Sequence, residues 1–443
     1  MPFCSRLARR LTTALLATVV AVTGVGAAAP AHAANVATPG NFTGYGFDQC
    51  LAPDQAAMDA WLRSSPFWAV GIYISGDSRA CTSQPNLTPT WISTQLRSGW
   101  RLLPITLGPQ AWCTTRDRYL QQVRISPDPA KSYGKARRQG RAEAAKTVAR
   151  ATQLGLAPGS TLWYDLEAFD IAPTDCRESA LSFLSAWTNK LHTLDFVSGV
   201  YSSAASGVKM LDDAQADRPG RYAMPDQIWI ADWNGRDDVY SSYVRNSSWM
   251  PHQRVHQYRG GHDETWGGVR INIDSNFLDL GTGSVARRSM ALCGGVTVDF
   301  TDYTRVRLGS EGGLVEAGQC LLSRGGWYDG QVTGVFDIPT RTAVRAYRTE
   351  AGIKPGRVLN RKTWTALLVR GNDYPLMKYG SASRSVRRLQ RALNAADQAG
   401  LTLDGVFEAR TTAAVKTYQR DHGLPQTGVV TDPVWKLLRS GTR

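Results

Sequence analysis

Histidine is scarce in this chain, with six in 443 residues. They are scattered, and no two of the seven cysteines form a C-x-x-C pair. Zinc sites usually draw their ligands from such clusters, so metal-dependent peptidase or amidase chemistry is disfavoured and no metal is expected. His252 and His256 have the i, i+4 spacing of a helical metal pair, yet Pro251 and the strand-like run 254–258 argue against one helical face. The chain also lacks a G-x-S-x-G nucleophile elbow, a glycine-rich phosphate loop ahead of a helix and any nucleic-acid motif. These absences leave no expected cofactor and no expected nucleic-acid partner. Long apolar runs are missing as well, apart from one between Leu11 and Ala29.

That single run follows Arg6, Arg9 and Arg10 and ends in Ala31-His32-Ala33, the layout of a secretory signal peptide spanning 1–33. Its loss leaves no segment apolar enough for a bilayer, so a secreted, extracellular or wall-associated monomer is expected. Cys4 goes with the signal. Cys50, Cys81, Cys113, Cys176, Cys293 and Cys320 remain, an even number that suits three disulfides in an exported chain. Six cysteines allow 15 pairings; proximity along the chain favours Cys50–Cys81, Cys113–Cys176 and Cys293–Cys320.

Acidic charge is in short supply: 37 Asp and Glu face 51 Lys and Arg, a net charge of +14. The imbalance is local, because residues 293–443 alone carry +9 and residues 34–292 only about +2. A basic C-terminal third outside the cell points to an anionic surface polymer.

From 41 to 283 strand-like and helix-like patterns alternate. Strands are predicted at 44–48, 69–75, 101–107, 161–167, 197–202, 227–232, 254–258 and 270–274, with helices at 54–64, 90–98, 130–154 and 178–194. Eight strands with intervening helices predict an α/β fold, a (β/α)8 TIM-like barrel over 41–283. A short polar connection, 284–291, follows. Beyond it Gly334-Val335-Phe336 recurs as Gly405-Val406-Phe407, an offset of 71 that also relates Gln319 to Gln390, Tyr347 to Tyr418 and Trp364 to Trp435. The duplication predicts two small all-α three-helix domains, at 292–370 and 376–440.

The run Thr161-Leu162-Trp163-Tyr164-Asp165-Leu166-Glu167 ends an apolar strand with two carboxylates. Alternation puts Asp165 and Glu167 on one face, β-carbons about 6–7 Å apart. One of such a pair can be held protonated while the other stays charged, as glycosidic bond cleavage requires. Asp48, Asp232 and Asp274 also fall at predicted strand ends, the rim where barrel enzymes carry their active sites. Trp163, Trp229, Trp233, Tyr201 and Tyr258 lie near them as candidate faces for sugar rings.

The two C-terminal copies resemble the peptidoglycan-binding repeat: Gln-x-x-Leu, then Gly-Val-Phe, then Thr-x-x-Ala-Val-x-x-Tyr, then Trp-x-x-Leu. In the barrel segment, Gly46-Phe47-Asp48, the Asp-x-Glu strand end, Trp229-Ile230-Ala231, His256-Gln257-Tyr258 and Asn272-Ile273-Asp274-Ser275-Asn276-Phe277 are similar to the pattern of family 25 glycoside hydrolases, lysozymes that cut peptidoglycan. The whole segment looks closer to an actinobacterial glycoside-hydrolase-like barrel family without an assigned activity. Carried over residue by residue, the resemblance implies Glu167 as proton donor. Asp165 would stabilise the anomeric carbon or orient the acetamido group, while Asp48 and Asp274 shape the field and hold hydroxyls. Asp232 matches no assignable motif position and is a candidate substrate contact. The implied function is a wall-tethered hydrolase of peptidoglycan or another wall glycan; the alternative is a glycan-binding barrel without turnover.

Overall fold

The computed structural model describes residues 35–281 and 292–443. The expected signal peptide and the connection 284–291 lie outside the described residues.

Eight strands close into one barrel in sequence order: β1 (Phe42–Asp48), β2 (Ala69–Ser75), β3 (Arg101–Thr106), β4 (Thr161–Asp165), β5 (Val197–Ser203), β6 (Gln227–Ala231), β7 (Gln253–Trp266) and β8 (Val269–Leu280). Helices α1 (Gln55–Ser64), α2 (Pro89–Ser98), α3 (Asp117–Leu120), α4 (Ala130–Gln153), α5 (Thr174–His192) and α6 (Lys209–Asp217) fill the crossovers. Local chemistry sets several of their starts: Asp54 accepts from the Ala57 amide at 2.8 Å, and Thr88 from the Trp91 amide at 3.1 Å ahead of Pro89. Strand β4 is buried on both faces, as a barrel strand under helices must be. Its inward Trp163 packs edge-on to Trp229 with ring centroids 5.5 Å apart, and Leu103, Val255 and Leu278 help close the barrel floor.

The barrel departs from the expected repeat at its end. Strands β1 to β7 are parallel, but β8 runs antiparallel to both β7 and β1. It forms a long hairpin with β7 around Gly267-Gly268, so no helix follows β7. Helix α1 covers Phe47 of β1 and the Val269 end of β8, where the Trp61 indole donates to the Val269 carbonyl at 3.0 Å, but among the described residues the outer face around Tyr45 and Phe277 has no helix of the barrel over it.

Each C-terminal copy is a three-helix unit: α7 (Gly313–Arg324), α8 (Ile338–Glu350) and α9 (Arg361–Leu368), then α10 (Arg384–Asp397), α11 (Ala409–Asp421) and α12 (Asp432–Arg439). The repeated signature proves structural. Buried Gln319 accepts from the Gly334 amide at 2.9 Å and donates to the Val335 carbonyl at 2.9 Å; Gln390 holds the Gly405 amide and the Val406 carbonyl in the same way. Trp364 and Trp435 are fully buried, and each donates its indole N–H to a backbone carbonyl, of Thr304 and Pro375 respectively. Disulfides join Cys50 to Cys81, Cys113 to Cys176 and Cys293 to Cys320, the pairing that proximity predicts.

The second copy packs on the uncovered flank of the barrel. Tyr379 lies against Tyr45 on β1 and Phe277 on β8, with ring centroids 5.0 and 6.0 Å away. Gly380, at a φ of +91°, comes so near β1 that a β-carbon there would stand 2.5 Å from the Thr43 carbonyl oxygen. Lys378 is buried; its ammonium nitrogen donates to the carbonyls of Leu62 and Ser65 at the end of α1, at 2.8 and 3.0 Å, over the ring of Trp68. Lysine at a helix C-terminus satisfies carbonyls that the helix leaves open, but burial lowers its pKa well below the ordinary value. Replacing Lys378 by Ala leaves two buried acceptors without a donor. We expect a loss of about 2–4 kcal/mol in urea unfolding, with earlier proteolytic release of the second copy; unchanged stability would contradict this contact.

Candidate active site

The register of β1 against β8 builds the mouth. Asp48, the last residue of β1, is the direct partner of Asp274 on antiparallel β8. The expectation that Asp274 ends its strand is thus corrected: it lies mid-strand, and reaches the rim because β8 descends from the hairpin. Gly71 on β2 makes room, since a β-carbon there would meet that of Asp48 at 2.5 Å.

Asp48 is only 4% exposed. Its Oδ2 accepts from the side-chain amides of Asn276, at 2.8 Å, and Gln257, at 3.1 Å. Gln257 is a hub: its Nε2 also reaches Asp274 at 3.3 Å, while its Oε1 accepts from the Tyr201 hydroxyl at 3.0 Å and the Trp233 indole at 2.9 Å. Asn276 is fixed in turn by the Trp229 indole at 2.7 Å. Burial first, then the charge of Asp274, pushes the Asp48 carboxyl up to about 8 despite the two amides. Asp274 is raised too, chiefly by burial.

Asp165 lies deeper, 1% exposed, its Oδ2 accepting from the Tyr73 hydroxyl at 3.2 Å. Its Oδ1 is buried with no hydrogen-bond partner among the described residues. Burial and then the charge of Glu167 raise its pKa well above the carboxylate range. Glu167 itself falls just past β4, where Gln110 holds the turn: its Oε1 accepts from the Glu167 amide and its Nε2 donates to the Asp165 carbonyl, both at 2.8 Å. The Glu167 carboxylate pairs with the Arg116 guanidinium at 3.1 Å, with the Tyr119 hydroxyl 3.5 Å away. Arg116 comes from the segment between β3 and α4, which the Cys113–Cys176 disulfide ties to the first turn of α5.

Asp48, Glu167 and Asp274 line one cleft of about 200 Å³, whose wall includes Tyr73, Arg79 and Arg118. Asp165 adjoins it from below. The pair 165/167 is therefore divided electrostatically: burial favours a neutral Asp165, and a cation stands against Glu167. The resemblance asks for the reverse, a charged Asp165 and a proton on Glu167.

Other expected site residues fall in different places. Asp232 turns away from the acids and caps the chain after β6, accepting from Ser241 at 2.7 Å and Asn234 at 3.2 Å. Trp163 and Trp229 are not sugar platforms; they are 0% and 1% exposed and fill the barrel. Alternation points them inward at a level where eight strands leave room only for side chains. Tyr201 and Tyr258 are half-buried, whereas Trp233 is 66% exposed and lies over the backbone of Gly260 beside the mouth. Gln257 and Asn276 were missed as functional candidates although they lie inside motifs singled out above, and Tyr73 was missed inside the predicted strand 69–75. Arg116 carries no local signal at all.

Residues 59–278 match the family model described as Rv2525c-like, glycoside hydrolase-like domain, and residues 311–367 and 383–438 each match a peptidoglycan binding domain. These parts define a glycan-related protein of the cell wall. The chain carries an Rv2525c-like glycoside hydrolase-like domain followed by two peptidoglycan-binding repeats. No curated protein matches it. Among solved structures it is similar to an uncharacterized B. stearothermophilus protein, at 16% identity over 53% of this chain and 95% of that one, with a TM-score of 0.35. It is also similar to the Mycobacterium tuberculosis Tat-secreted protein Rv2525c, at 13% over 53% and 95%, TM-score 0.34. A third is the modular autolysin LytC from Streptococcus pneumoniae, at 9% over 53% and 46%, TM-score 0.32.

The raised Asp48 carboxyl makes barrel stability depend on pH. Well below pH 3.8, the ordinary aspartate value, Asp48 is protonated in folded and unfolded chains alike; between about 4 and about 8 only the unfolded chain ionises, so stability falls across that window and levels off above it. Asp48→Asn cannot ionise. We expect it to melt several degrees above the parent at pH 9 and close to it at pH 4; equal melting at both would refute a buried, neutral Asp48.

Proposed function

We propose that the protein is an exported wall hydrolase of the lysozyme kind, in which residues 41–283 cleave peptidoglycan or a related wall glycan and the repeats at 292–370 and 376–440 hold it on the polymer. A signal peptide over 1–33, cut after Ala33, would deliver it outside the cell. The observation that carries this reading is the gathering of Asp48, Glu167 and Asp274 on one cleft with Asp165 beneath. Trp233, exposed beside that cleft, suits a sugar ring.

Glu167 is the candidate proton donor to the leaving oxygen, since it is the carboxyl on the cleft that no amide side chain holds. An entering glycan has to displace Arg116 from it. Asp165 would orient the acetamido group through its neutral form, as hydrogen-bond donor from the otherwise unpartnered Oδ1. Asp48 and Asp274, fixed by Gln257 and Asn276, would hold hydroxyls of the ring in the cleft.

A second reading, a barrel that binds glycan without turning it over, is favoured by the Arg116–Glu167 ion pair, which occupies the acid's open side. Reducing ends released from purified peptidoglycan separate the two. The hydrolase reading expects release by the mature chain and a drop of at least about a hundredfold in Glu167→Gln, the usual scale for a lost general acid; no release, or release unaffected by the substitution, leaves the binding reading standing. Sedimentation with insoluble wall material should weaken as salt rises, because the net +9 of residues 293–443 meets an anionic polymer. Binding indifferent to salt would refute the electrostatic part of the tether.

A further inference from the structure

The contact between the second repeat and the barrel leaves a cleft of about 320 Å³ at its edge, separate from the acid-lined mouth. Tyr45 and Trp266 come to it from the barrel, Tyr379 from the loop before α10, Lys416 from α11 and Thr427 from the turn before α12. The aromatic walls are held before any ligand arrives. The Tyr45 hydroxyl donates to Asp237 at 2.6 Å, the Trp266 indole N–H donates to Glu264 at 2.7 Å, and Tyr379 packs edge-on against Tyr45. Walls fixed in advance lose little freedom on binding. Lys378, also on the lining, spends its ammonium on two backbone carbonyls and stays out of the chemistry. Lys416 is exposed, and no Asp or Glu lines the cleft.

Aromatic faces with one exposed cation and a hydroxyl suit a sugar that bears a carboxylate. One wall belongs to a peptidoglycan-binding repeat, and peptidoglycan alternates a neutral amino sugar with one whose lactyl carboxyl group is a free carboxylate wherever the stem peptide has been removed. We propose that this cleft is a second saccharide site, built jointly by barrel and repeat, which takes an acidic amino sugar of a peptide-free stretch of glycan strand with its carboxylate on Lys416 and its ring against Tyr379 and Trp266. The site rests on the reading of peptidoglycan as partner and adds to it a position: the strand is gripped on the β1/β8 flank while another stretch of it reaches the mouth. It exists because the repeat occupies the stretch of the β1/β8 flank that α1 does not reach.

The test titrates the full mature chain by calorimetry with the N-acetylglucosamine–N-acetylmuramic acid disaccharide, and with N,N′-diacetylchitobiose, which has no carboxylate. Lys416→Glu reverses the charge at an exposed position, and Ala413→Trp, also exposed on the same lining, fills the cleft. The expected result is a binding event for the acidic disaccharide that each variant weakens about tenfold or more, on the scale of one lost charged contact, with no such change for chitobiose. Unchanged binding in either variant, or no binding by the parent, overturns the proposal. Failure here is distinct from failure of the hydrolase reading. Glycan release that depends on Glu167 without any Lys416-dependent binding removes only this site; Lys416-dependent binding without release removes only the catalysis.

Discussion

The antiparallel pairing of β8 with β1 is the constraint from which most of the molecule's chemistry follows. It closes the barrel and sets Asp48 opposite Asp274, so two carboxyls share one buried rim. Burial at that depth, and next the charge of Asp274, push the Asp48 carboxyl up to about 8. Gln257 and Asn276, from the same two last strands, supply the amides that keep the pair in place.

The same pairing has a cost on the outside of the barrel. A strand that returns through a hairpin brings no helix of its own, and the stretch of β1 and β8 around Tyr45 and Phe277, beyond the reach of α1, would lie open. Tyr379, Gly380 and Lys378 of the second repeat cover it, with Lys378 closing the end of α1. A peptidoglycan-binding module thus serves as part of the barrel's packing. Its orientation relative to the mouth is then fixed by buried contacts rather than left to a linker, which matters for the proposed hydrolase reading.

Much of the architecture was legible in the residues. Every predicted strand overlaps one in the barrel, because two-sided burial leaves apolar runs such as Thr161–Asp165 that only a covered parallel strand explains. The ungapped offset of 71 exposed the two repeats, whose Gln, Phe and Trp positions are now seen to clamp a turn and fill a core. The direction of β8 was not legible: a five-residue apolar pattern reads alike in either sense, and the hairpin that reverses it is polar and alternating. Trp163 and Trp229 misled for a related reason, since an aromatic near a strand end looks the same whether its ring faces the floor or the mouth. Arg116 could not be anticipated, because it reaches Glu167 through a loop whose path a disulfide determines.

The central claim is that glycan enters the acid-lined mouth and displaces Arg116 from the Glu167 side chain. A crystal structure of the Glu167→Gln chain with a peptidoglycan fragment tests it most directly. The expected complex has a sugar ring within hydrogen-bonding reach of Asp48 and Asp274, with Arg116 swung away from the substituted side chain. Fragment bound solely on the helical repeats, with Arg116 still across the mouth, would overturn it.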